Sequence, residues 1–153
     1  MAYFDRILRR ANLRLMTMSS GQYELKRQEQ SKNQKEKAGL DLNVIDHYNG
    51  TERSVKTLSG GESFMAALAM ALGLSDIIQN TVGAVQLETM FVDEGFGSLD
   101  DEARERAVQI LKELAGEKTL VGIISHVNEL KEEVDWQLQV RKTEKGSQAR
   151  WNF

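Results

Sequence analysis

An Asp-Glu pair follows a short apolar run and offers two carboxylates with separate chemical uses. Residues 90–92 are Met, Phe and Val, and they lead directly into Asp93, Glu94 and Gly95. A continuous apolar strand is typical of a parallel sheet that is covered on both faces, and such sheets bind ligands at the carboxyl ends of their strands. Asp93 could hold Mg²⁺ there, and Glu94 could activate a water for attack on a phosphate. The pair alone is a weak signal, because Asp-Glu pairs also cap helices and form salt bridges.

A second candidate lies at the start of a long apolar stretch. Residues 58–62 are Leu, Ser, Gly, Gly and Glu, and Ser59 followed by Glu62 predicts a capping box at a helix start. Gly60 and Gly61 lack Cβ atoms, so another molecule could approach the backbone where the first-turn N–H groups point outward. The stretch therefore either binds an anion or is an ordinary capped helix with a permissive glycine pair.

Further polar residues follow at intervals along the chain. Ser98 and Asp100 come shortly after the Asp-Glu pair, and the apolar residues 120–124 lead into Ser125 and His126. At the end of a neighbouring strand His126 could donate a hydrogen bond to a terminal phosphate, although a lone histidine is more often structural. Each signal is weak by itself, but their joint occurrence in this order favours a phosphate-handling site.

The elements that would carry these residues alternate between helix and strand. Apolar spacing predicts a buried helix over residues 62–78, a strand at 90–92, a helix from Ser98 to Gly116 and a buried strand at 120–124. This order is typical of a parallel α/β layer. The flanking predictions are a helix that ends at residues 19–21, strands at 23–27 and 40–44, a short helix at 129–134 and a closing hairpin over 136–153 with a turn at Lys145 and Gly146.

The N-terminal quarter of the chain is basic. Residues 1–37 contain nine Lys or Arg against four Asp or Glu. In the first helix the apolar residues Phe4, Ile7, Leu8, Ala11 and Leu15 recur at helical spacing, and Arg6, Arg9, Arg10 and Arg14 occupy the other face. Such a stripe is most often a solvated face, but it could also hold a partner protein or DNA phosphates. Residues 28–37 are wholly polar, which predicts a mobile loop.

The composition limits the classes of function that the chain can have. Its net charge of −3 gives no overall attraction to nucleic acid or to a membrane. The absence of Cys excludes a disulfide framework and a thiolate metal site. No stretch has the length of a membrane span, and the N-terminus lacks the apolar core of a signal peptide. We therefore expect a cytoplasmic globular domain that does not bind a membrane.

Together, the motifs resemble those of the ABC-type ATPases. Residues 58–62 resemble the signature motif, residues 89–94 the Walker B motif, residues 98–100 the D-loop, and His126 the switch histidine. Transporter ATPases usually carry Gln where Glu62 stands and Pro where Gly95 stands. The run 87–100 is instead similar to the SbcC family, which supplies the ATPase subunit of the SbcCD nuclease complex and is related to the SMC proteins of DNA repair. The similarity extends over nearly the whole chain.

The resemblance implies a fold and a role for each matching residue. The fold would be α/β, the C-terminal half of an ABC-type P-loop ATPase head, with buried parallel strands, flanking helices and antiparallel hairpins. Asp93 would hold Mg²⁺, Glu94 would polarise the attacking water, and His126 would contact the γ-phosphate of ATP. The signature residues Ser59 to Glu62 would reach the nucleotide of the opposite protomer, and the D-loop would lie at the dimer seam.

The resemblance also implies partners and a division of the chain. Residues 1–20 would be the returning end of the family's long coiled coil, near which the nuclease subunit docks, and residues 21–153 would be the C-terminal ATPase lobe. The partners would be the protein's own N-terminal ATPase lobe, a second SbcC protomer, an SbcD-type nuclease subunit and double-stranded DNA.

The phosphate-binding loop that ATP chemistry also needs is missing from the sequence. The pattern G-x-x-x-x-G-K-[ST] has no match, and the chain contains no Gly-Lys pair. In the resembled family that loop lies on the N-terminal lobe. The chain is therefore predicted to be half of a split site, to be inactive alone, and to expose an apolar sheet edge or face where the other lobe belongs.

Three other classes of protein stay open at this point. A transporter ATPase fragment is disfavoured by Gly95 and Glu62. An SMC-type chromosome ATPase without a nuclease partner would carry similar motifs. A binding module that uses its basic helix and never touches nucleotide would leave Ser59 and Glu94 without a function.

Overall fold

The computed structural model of the protein describes residues 2–28, 41–80, 88–115, 119–144 and 146–152. The helices are α1 (Ala2–Met18), α2 (Gly60–Gln79), α3 (Asp101–Leu114) and α4 (Leu130–Glu133). The strands are β1 (Tyr23–Arg27), β2 (Leu42–Asp46), β3 (Thr51–Ser54), β4 (Thr89–Asp93), β5 (Leu120–Ile124), β6 (Gln137–Thr143) and β7 (Gly146–Asn152). The predicted polar loop, apart from Gln28, lies outside the described residues, as do Leu40, Gly116, Lys145 and Phe153.

Helices α1 and α2 cross in close backbone contact at the centre of the hydrophobic core. A Cβ atom built on Gly73 of α2 would lie 2.7 Å from the backbone nitrogen of Ala11 and 2.8 Å from the carbonyl oxygen of Ile7. The apolar face of α1 shares one core cluster with α2 and α3 through Leu8, Ala11, Leu15 and Met18. The N-terminal helix is therefore packed into the same core as the rest of the chain.

The basic stripe of α1 has two parts with different surroundings. Arg6, Arg9 and Arg10 are exposed, as expected of a solvated face. The guanidinium of Arg14 instead donates two hydrogen bonds, of 2.6 and 2.9 Å, to the carboxylate of Asp76 on α2. Arg14 thus joins α1 to the helix that the signature residues begin.

Asn12 joins α1 to an antiparallel sheet with the strand order β1-β2-β3. Its amide nitrogen donates to the carbonyl oxygen of Leu25, and its side-chain oxygen accepts from the Leu25 N–H, each at 2.9 Å. Strand β3 was not predicted, because its sequence Thr-Glu-Arg-Ser has no apolar alternation. Its residues are exposed or half-buried, so hydrogen bonding to β2 and not burial defines it.

Helix α2 is central but is not buried on all sides. Its buried residues are Met65, Ala66, Leu68, Ala69, Leu72, Gly73, Ser75 and Ile77. Ala67, Ala71 and Leu74 are exposed, so the helix predicted to be buried is buried on one face only. By length and apolar composition α2 is the one helix among the described residues that could cross a membrane, which differs from the expectation that no stretch would do so. Packing in a hydrophobic core requires the same composition.

The parallel pair β4–β5 is covered on one face by the described residues, although its apolar sequence is typical of a sheet that is covered on both faces. The inner face is formed by Met90, Val92, Val121 and Ile123, which pack against the core. On the outer face Phe91, Leu120 and Ile124 are 64%, 62% and 52% exposed. The described residues supply packing partners for the inner face alone. An apolar sheet face is therefore exposed among the described residues, as we expect of a chain that forms half of a split site.

We expect the outer face (Phe91, Leu120 and Ile124) to make the isolated chain self-associate, because exposed apolar patches of this kind are interaction surfaces. Light scattering should show association that grows with concentration, and Phe91→Ser should reduce it. Tyr48→Ser, which removes an exposed ring after β2, should leave it unchanged. A monomeric scattering profile of the original chain at high concentration would contradict this expectation.

Helix α3 starts later than predicted. Asp100, not Ser98, is the N-cap residue, and its carboxylate accepts a hydrogen bond of 2.8 Å from the N–H of Ala103. Ser98 instead ends a 3₁₀ turn, and its hydroxyl donates to the carbonyl oxygen of Gly95 at 2.6 Å. Both residues can act as caps, and the carboxylate is the one that lies in front of the first helical turn.

Strands β6 and β7 form the predicted closing hairpin. Their apolar residues pair across the two strands, Leu138 with Trp151 and Val140 with Ala149. Every described residue of β7 is exposed, so this hairpin adds little to the core.

Candidate functional site

Asp93 ends β4 at the carboxyl edge of the parallel sheet. Its side chain is exposed and has no hydrogen-bond or ion-pair partner among the described residues. Within those residues no group of three metal-ligating side chains occurs. Mg²⁺ commonly uses one or two carboxylates and takes its other ligands from water and phosphate oxygens. Asp93 therefore fits a Mg²⁺ ion that binds together with a nucleotide, and not an all-protein metal site.

Glu94 lies in a left-handed backbone turn directly after β4. The φ angles are 59° at Glu94 and 94° at Gly95, and a positive φ is uncommon for a residue with a Cβ atom. The N–H of Glu94 still donates to the carbonyl oxygen of Ile124 at 2.8 Å, which extends the β4–β5 ladder by one position. Backbone conformations of this kind cost about 1–3 kcal/mol and are concentrated at functional sites.

The turn brings Glu94 to His126, which follows β5. The His126 Nδ1 atom lies 2.8 Å from Oε2 of Glu94, and the two side chains are 83% and 49% exposed. An exposed ion pair contributes only about 0–1 kcal/mol, so stability does not account for this arrangement. Its effect is positional: a carboxylate suited to activating water and an imidazole suited to contacting phosphate meet at one sheet edge.

Phe64 of α2 packs directly on Gly95. A Cβ atom on Gly95 would lie 2.1 to 2.9 Å from three atoms of the Phe64 ring. The same ring meets Phe96 edge-on, with centroids 4.9 Å apart and an interplanar angle of 63°. Because proline is restricted to negative φ, it cannot replace Gly95 in this backbone. The positive φ, together with the packing of Phe64, favours glycine at this position over the proline that transporter ATPases usually carry there.

Ser59 is the N-cap residue of α2, and the predicted capping box is confirmed. The Ser59 hydroxyl oxygen accepts from the N–H of Glu62 at 3.3 Å, and Oε2 of Glu62 accepts from the N–H of Ser59 at 2.6 Å. Ser59 and Gly60 are exposed. The first-turn N–H groups of a helix lack intrahelical partners, so an anion could approach this turn from solvent. Residues 58–62 are called the signature turn from here on.

The signature turn lies against the D-loop of the same chain. A Cβ atom on Gly61 would lie 2.5 Å from the carbonyl oxygen of Ser98, and one on Gly60 would lie 3.6 Å from the Ser98 Cβ. Gly61 thus has an intramolecular use, in addition to the ligand approach that its sequence context suggested. Together with the contact of Phe64 on Gly95, it connects the first turns of α2 with the segment that follows Glu94.

Glu62 is engaged inside the chain on both carboxylate oxygens. The Tyr23 hydroxyl donates to Oε1, and the Arg53 guanidinium lies 3.4 Å from Oε1 and 3.5 Å from Oε2. Burial alone would raise the pKa of Glu62, but hydrogen bonds from Tyr23 and Ser59 outweigh burial and lower that pKa. Burial and the hydrogen bond to Glu62 raise the pKa of Tyr23 to about 12. The carboxylate that we expected to contact a nucleotide is thus hydrogen-bonded to residues of its own chain.

A family model described as SbcC/RAD50-like, Walker B motif, matches residues 22–113, which is more than half of the chain. The chain belongs to this SbcC/RAD50-like family. The matched range includes the signature turn, β4 with its acidic pair, and the D-loop, whereas His126 lies beyond it. The resemblance inferred from the motifs is confirmed.

Curated relatives support the same conclusion for this SbcC/RAD50-like chain. It is 52% identical over 146 residues to the SbcC subunit of the SbcCD nuclease from Vibrio cholerae, covering 95% of this chain and 14% of the relative. It is 44% identical over 152 residues to the protein of the same name from Staphylococcus haemolyticus, covering 98% and 15%. The chain thus spans about one seventh of the length of the curated relatives that it matches.

Solved structures identify the fold. A chain from a study of ATP-driven dimerization and DNA-stimulated activation of SMC ATPases superimposes with a TM-score of 0.76 at 18% identity, over 100% of this chain and 87% of that one. The Smc head domain of Pyrococcus furiosus, solved with an extended coiled coil and the C-terminal domain of ScpA, gives 0.74 at 18% identity, over 97% and 35%. At such identities the likeness shows the fold alone. The SbcC/RAD50-like chain has the fold of an SMC head, and the predicted fold class is confirmed.

Three residues that contact the candidate site belong to none of its sequence motifs, namely Tyr23, Arg53 and Phe64. Tyr23 lies in the strand predicted at 23–27 and Phe64 in the helix predicted at 62–78, whereas Arg53 lies in none of the predicted elements. Their contacts join positions that are distant in sequence. The one signal in the sequence was that Glu62 and Gly95 differ from the Gln and Pro of transporter ATPases, and these are the two residues that Tyr23, Arg53 and Phe64 contact.

Proposed function

We propose that this chain is the C-terminal half of a split ATP-hydrolysing head of the SbcC type. The observation that carries the proposal is the 2.8 Å contact of Glu94 with His126, next to the unpartnered Asp93 at the carboxyl edge of the described sheet. Mg²⁺ bound with ATP supplies charge neutralisation on the phosphates. Asp93 would bind that Mg²⁺, Glu94 would orient and deprotonate the attacking water, and His126 would donate to the γ-phosphate.

The signature turn would act on the nucleotide of a second head. Its exposed Ser59 and Gly60 are available to an incoming molecule, whereas Glu94 would act on the nucleotide of its own head. The D-loop would lie at the seam between the two heads, where Ser98 and Asp100 are both exposed. ATP would therefore join two heads, each of which completes the other's site.

In the complete protein we propose that this cycle of association and hydrolysis controls an SbcD-type nuclease subunit that acts on double-stranded DNA in the cytoplasm. The support is the identity of 44–52% to proteins named as the SbcC subunit of the SbcCD nuclease. Helix α1 would continue into a coiled coil that returns to the head. Its exposed arginines, Arg6, Arg9 and Arg10, would be available to the nuclease subunit or to DNA phosphates.

A second candidate is a structural SMC-type chromosome ATPase that has no nuclease partner. The observation in its favour is the SMC head fold, with a TM-score of 0.76. Co-purification of the complete protein with a phosphodiesterase subunit would support the SbcC-type function, and purification without one would support the SMC-type function.

The isolated chain should neither bind Mg-ATP tightly nor hydrolyse it, because its sequence has no phosphate-binding loop. Adding the P-loop lobe of an SbcC-type head should restore ATP turnover and ATP-dependent association of heads. Ser59→Arg should abolish the restored association, because a long cation would block the face that meets the second nucleotide. Measurable Mg-ATP turnover by the purified 153-residue chain would refute the split-site proposal.

A further inference from the structure

We propose that Tyr23 and Arg53 are positioning residues of the signature turn and act through Glu62, which holds the turn without contacting the nucleotide. The inference rests on the proposed function of that turn at a second nucleotide. It reassigns Glu62 from a ligand-contacting residue to the link between the antiparallel sheet and the start of α2.

The first step is the geometry of the link. Tyr23 on β1 is only 8% exposed and donates its hydroxyl hydrogen to Oε1 of Glu62. The other oxygen, Oε2, accepts the N–H of Ser59 at 2.6 Å. One carboxylate therefore connects a buried hydroxyl on the sheet to the backbone of the N-cap residue. The position of Ser59, and with it the direction of its hydroxyl and of the first-turn N–H groups, depends on where that carboxylate is held.

Arg53 on β3 holds the same turn at two points. Its guanidinium donates to the carbonyl oxygen and the hydroxyl of Thr57, at 2.8 and 2.9 Å, just before the turn begins. It also donates to both carboxylate oxygens of Glu62, which follows Ser59 by three residues in the signature turn. The guanidinium has a rigid, planar set of donors, so it fixes the entry to the turn relative to its first helical residues.

The link explains why this position carries Glu and not the Gln of transporter ATPases. Tyr23 and Ser59 each present a donor to a separate oxygen, and Arg53 adds a positive charge between them. A glutamine offers one acceptor oxygen, and its amide nitrogen would point N–H groups at one of these donors and at the guanidinium. A carboxylate is the side chain that satisfies all three neighbours.

The test uses the two-lobe head, which is this chain combined with the P-loop lobe. The measurements are the ATP concentration at half-maximal head association, kcat at saturating ATP, and Tm. Tyr23→Phe should raise the ATP concentration needed for association about tenfold, because it removes a hydrogen bond to a charged group that holds the turn. It should leave kcat at saturating ATP close to that of the original head, with Tm lower only by the few degrees that the loss of one hydrogen bond costs. Tyr48→Phe is the matched control, since its exposed hydroxyl bonds to the carbonyl oxygen of Ser20.

Three further variants make the result decisive. Glu62→Gln should shift association in the same direction as Tyr23→Phe, and the double variant should be no worse than Glu62→Gln alone. Arg53→Gln should give a shift of the same sign, and it keeps the test available if Tyr23→Phe does not fold.

Three outcomes would overturn the inference. The first is Tyr23→Phe behaving like Tyr48→Phe, and the second is a parallel loss of Tm and kcat, which would mark a structural hydroxyl only. The third is additive effects of Tyr23→Phe and Glu62→Gln. Ser59→Arg separates this failure from failure of the proposed function. If Ser59→Arg leaves ATP-dependent association intact, the proposed function fails, and if it abolishes association while Tyr23→Phe has no effect, only the positioning role fails.

Discussion

Glu94→Gln should lower the ATP turnover of the two-lobe head by about 100-fold or more, the usual contribution of a positioned general base. The amide keeps the shape of the side chain and can still contact His126, but it cannot take a proton from the attacking water. In the proposed cycle ATP binding, and not hydrolysis, drives the association of heads, so association should persist. Steady-state phosphate release and ATP-dependent head association, measured on the same sample, separate the two steps.

The control for this prediction is Glu88→Gln, which neutralises an exposed glutamate immediately before β4. It should leave turnover unchanged, because Glu88 does not lie at the carboxyl edge of the sheet. Turnover in the Glu94→Gln head equal to that of the control would show that another group activates the water. The role proposed for the contact of Glu94 with His126 would then be wrong.

Gly73→Ala should destabilise the chain by about 1–3 kcal/mol, the cost of overpacking a core. The new Cβ atom would meet backbone atoms of Ala11 and Ile7 at 2.7 and 2.8 Å, and backbone cannot move aside as a flexible side chain can. The two helices would have to separate, which would weaken the packing of the whole core. Urea unfolding followed by circular dichroism would measure the change.

The sign of this effect is what makes it informative. In an exposed helix Gly→Ala stabilises by about 1 kcal/mol, so propensity and packing predict opposite results at Gly73. The matched control is Gly97→Ala, where a Cβ atom would meet only the Val127 methyl at 3.4 Å, and the free energy of unfolding should change little. A Gly73→Ala chain that is more stable than the original would exclude the close crossing of α1 and α2.

Local sequence signals predicted the elements that carry the site. The capping box of Ser59 and Glu62, the strands that end at Asp93 and Ile124, and the alternation of helix and strand depend on neighbouring residues, and all are present. The cap of α3 was misplaced because Ser98 and Asp100 can both cap, and only the path of the chain after Gly95 selects the carboxylate.

Packing was less predictable, because it depends on residues that are distant in sequence or absent from the chain. The apolar run of β4 predicted burial on both faces, but no covering layer for Phe91 exists within the described residues. The contacts of Tyr23 and Arg53 with Glu62 join two strands, β1 and β3, to helix α2, and no local sequence pattern indicates them. Sequence reasoning thus indicated candidate residues, while the structure identified the contacts that hold them in place.

The contact between Phe64 and Gly95 restricts which substitutions can accumulate at these two positions during evolution. A Pro at position 95 would need a different backbone angle and the space that the aromatic ring fills, so no single substitution converts this motif into the transporter form. Loss of the ring alone would give space at position 95, but the positive φ there would still favour glycine over a residue with a Cβ atom. A descendant with Pro at position 95 would therefore need a new course of the backbone after Glu94 as well as a smaller residue at position 64.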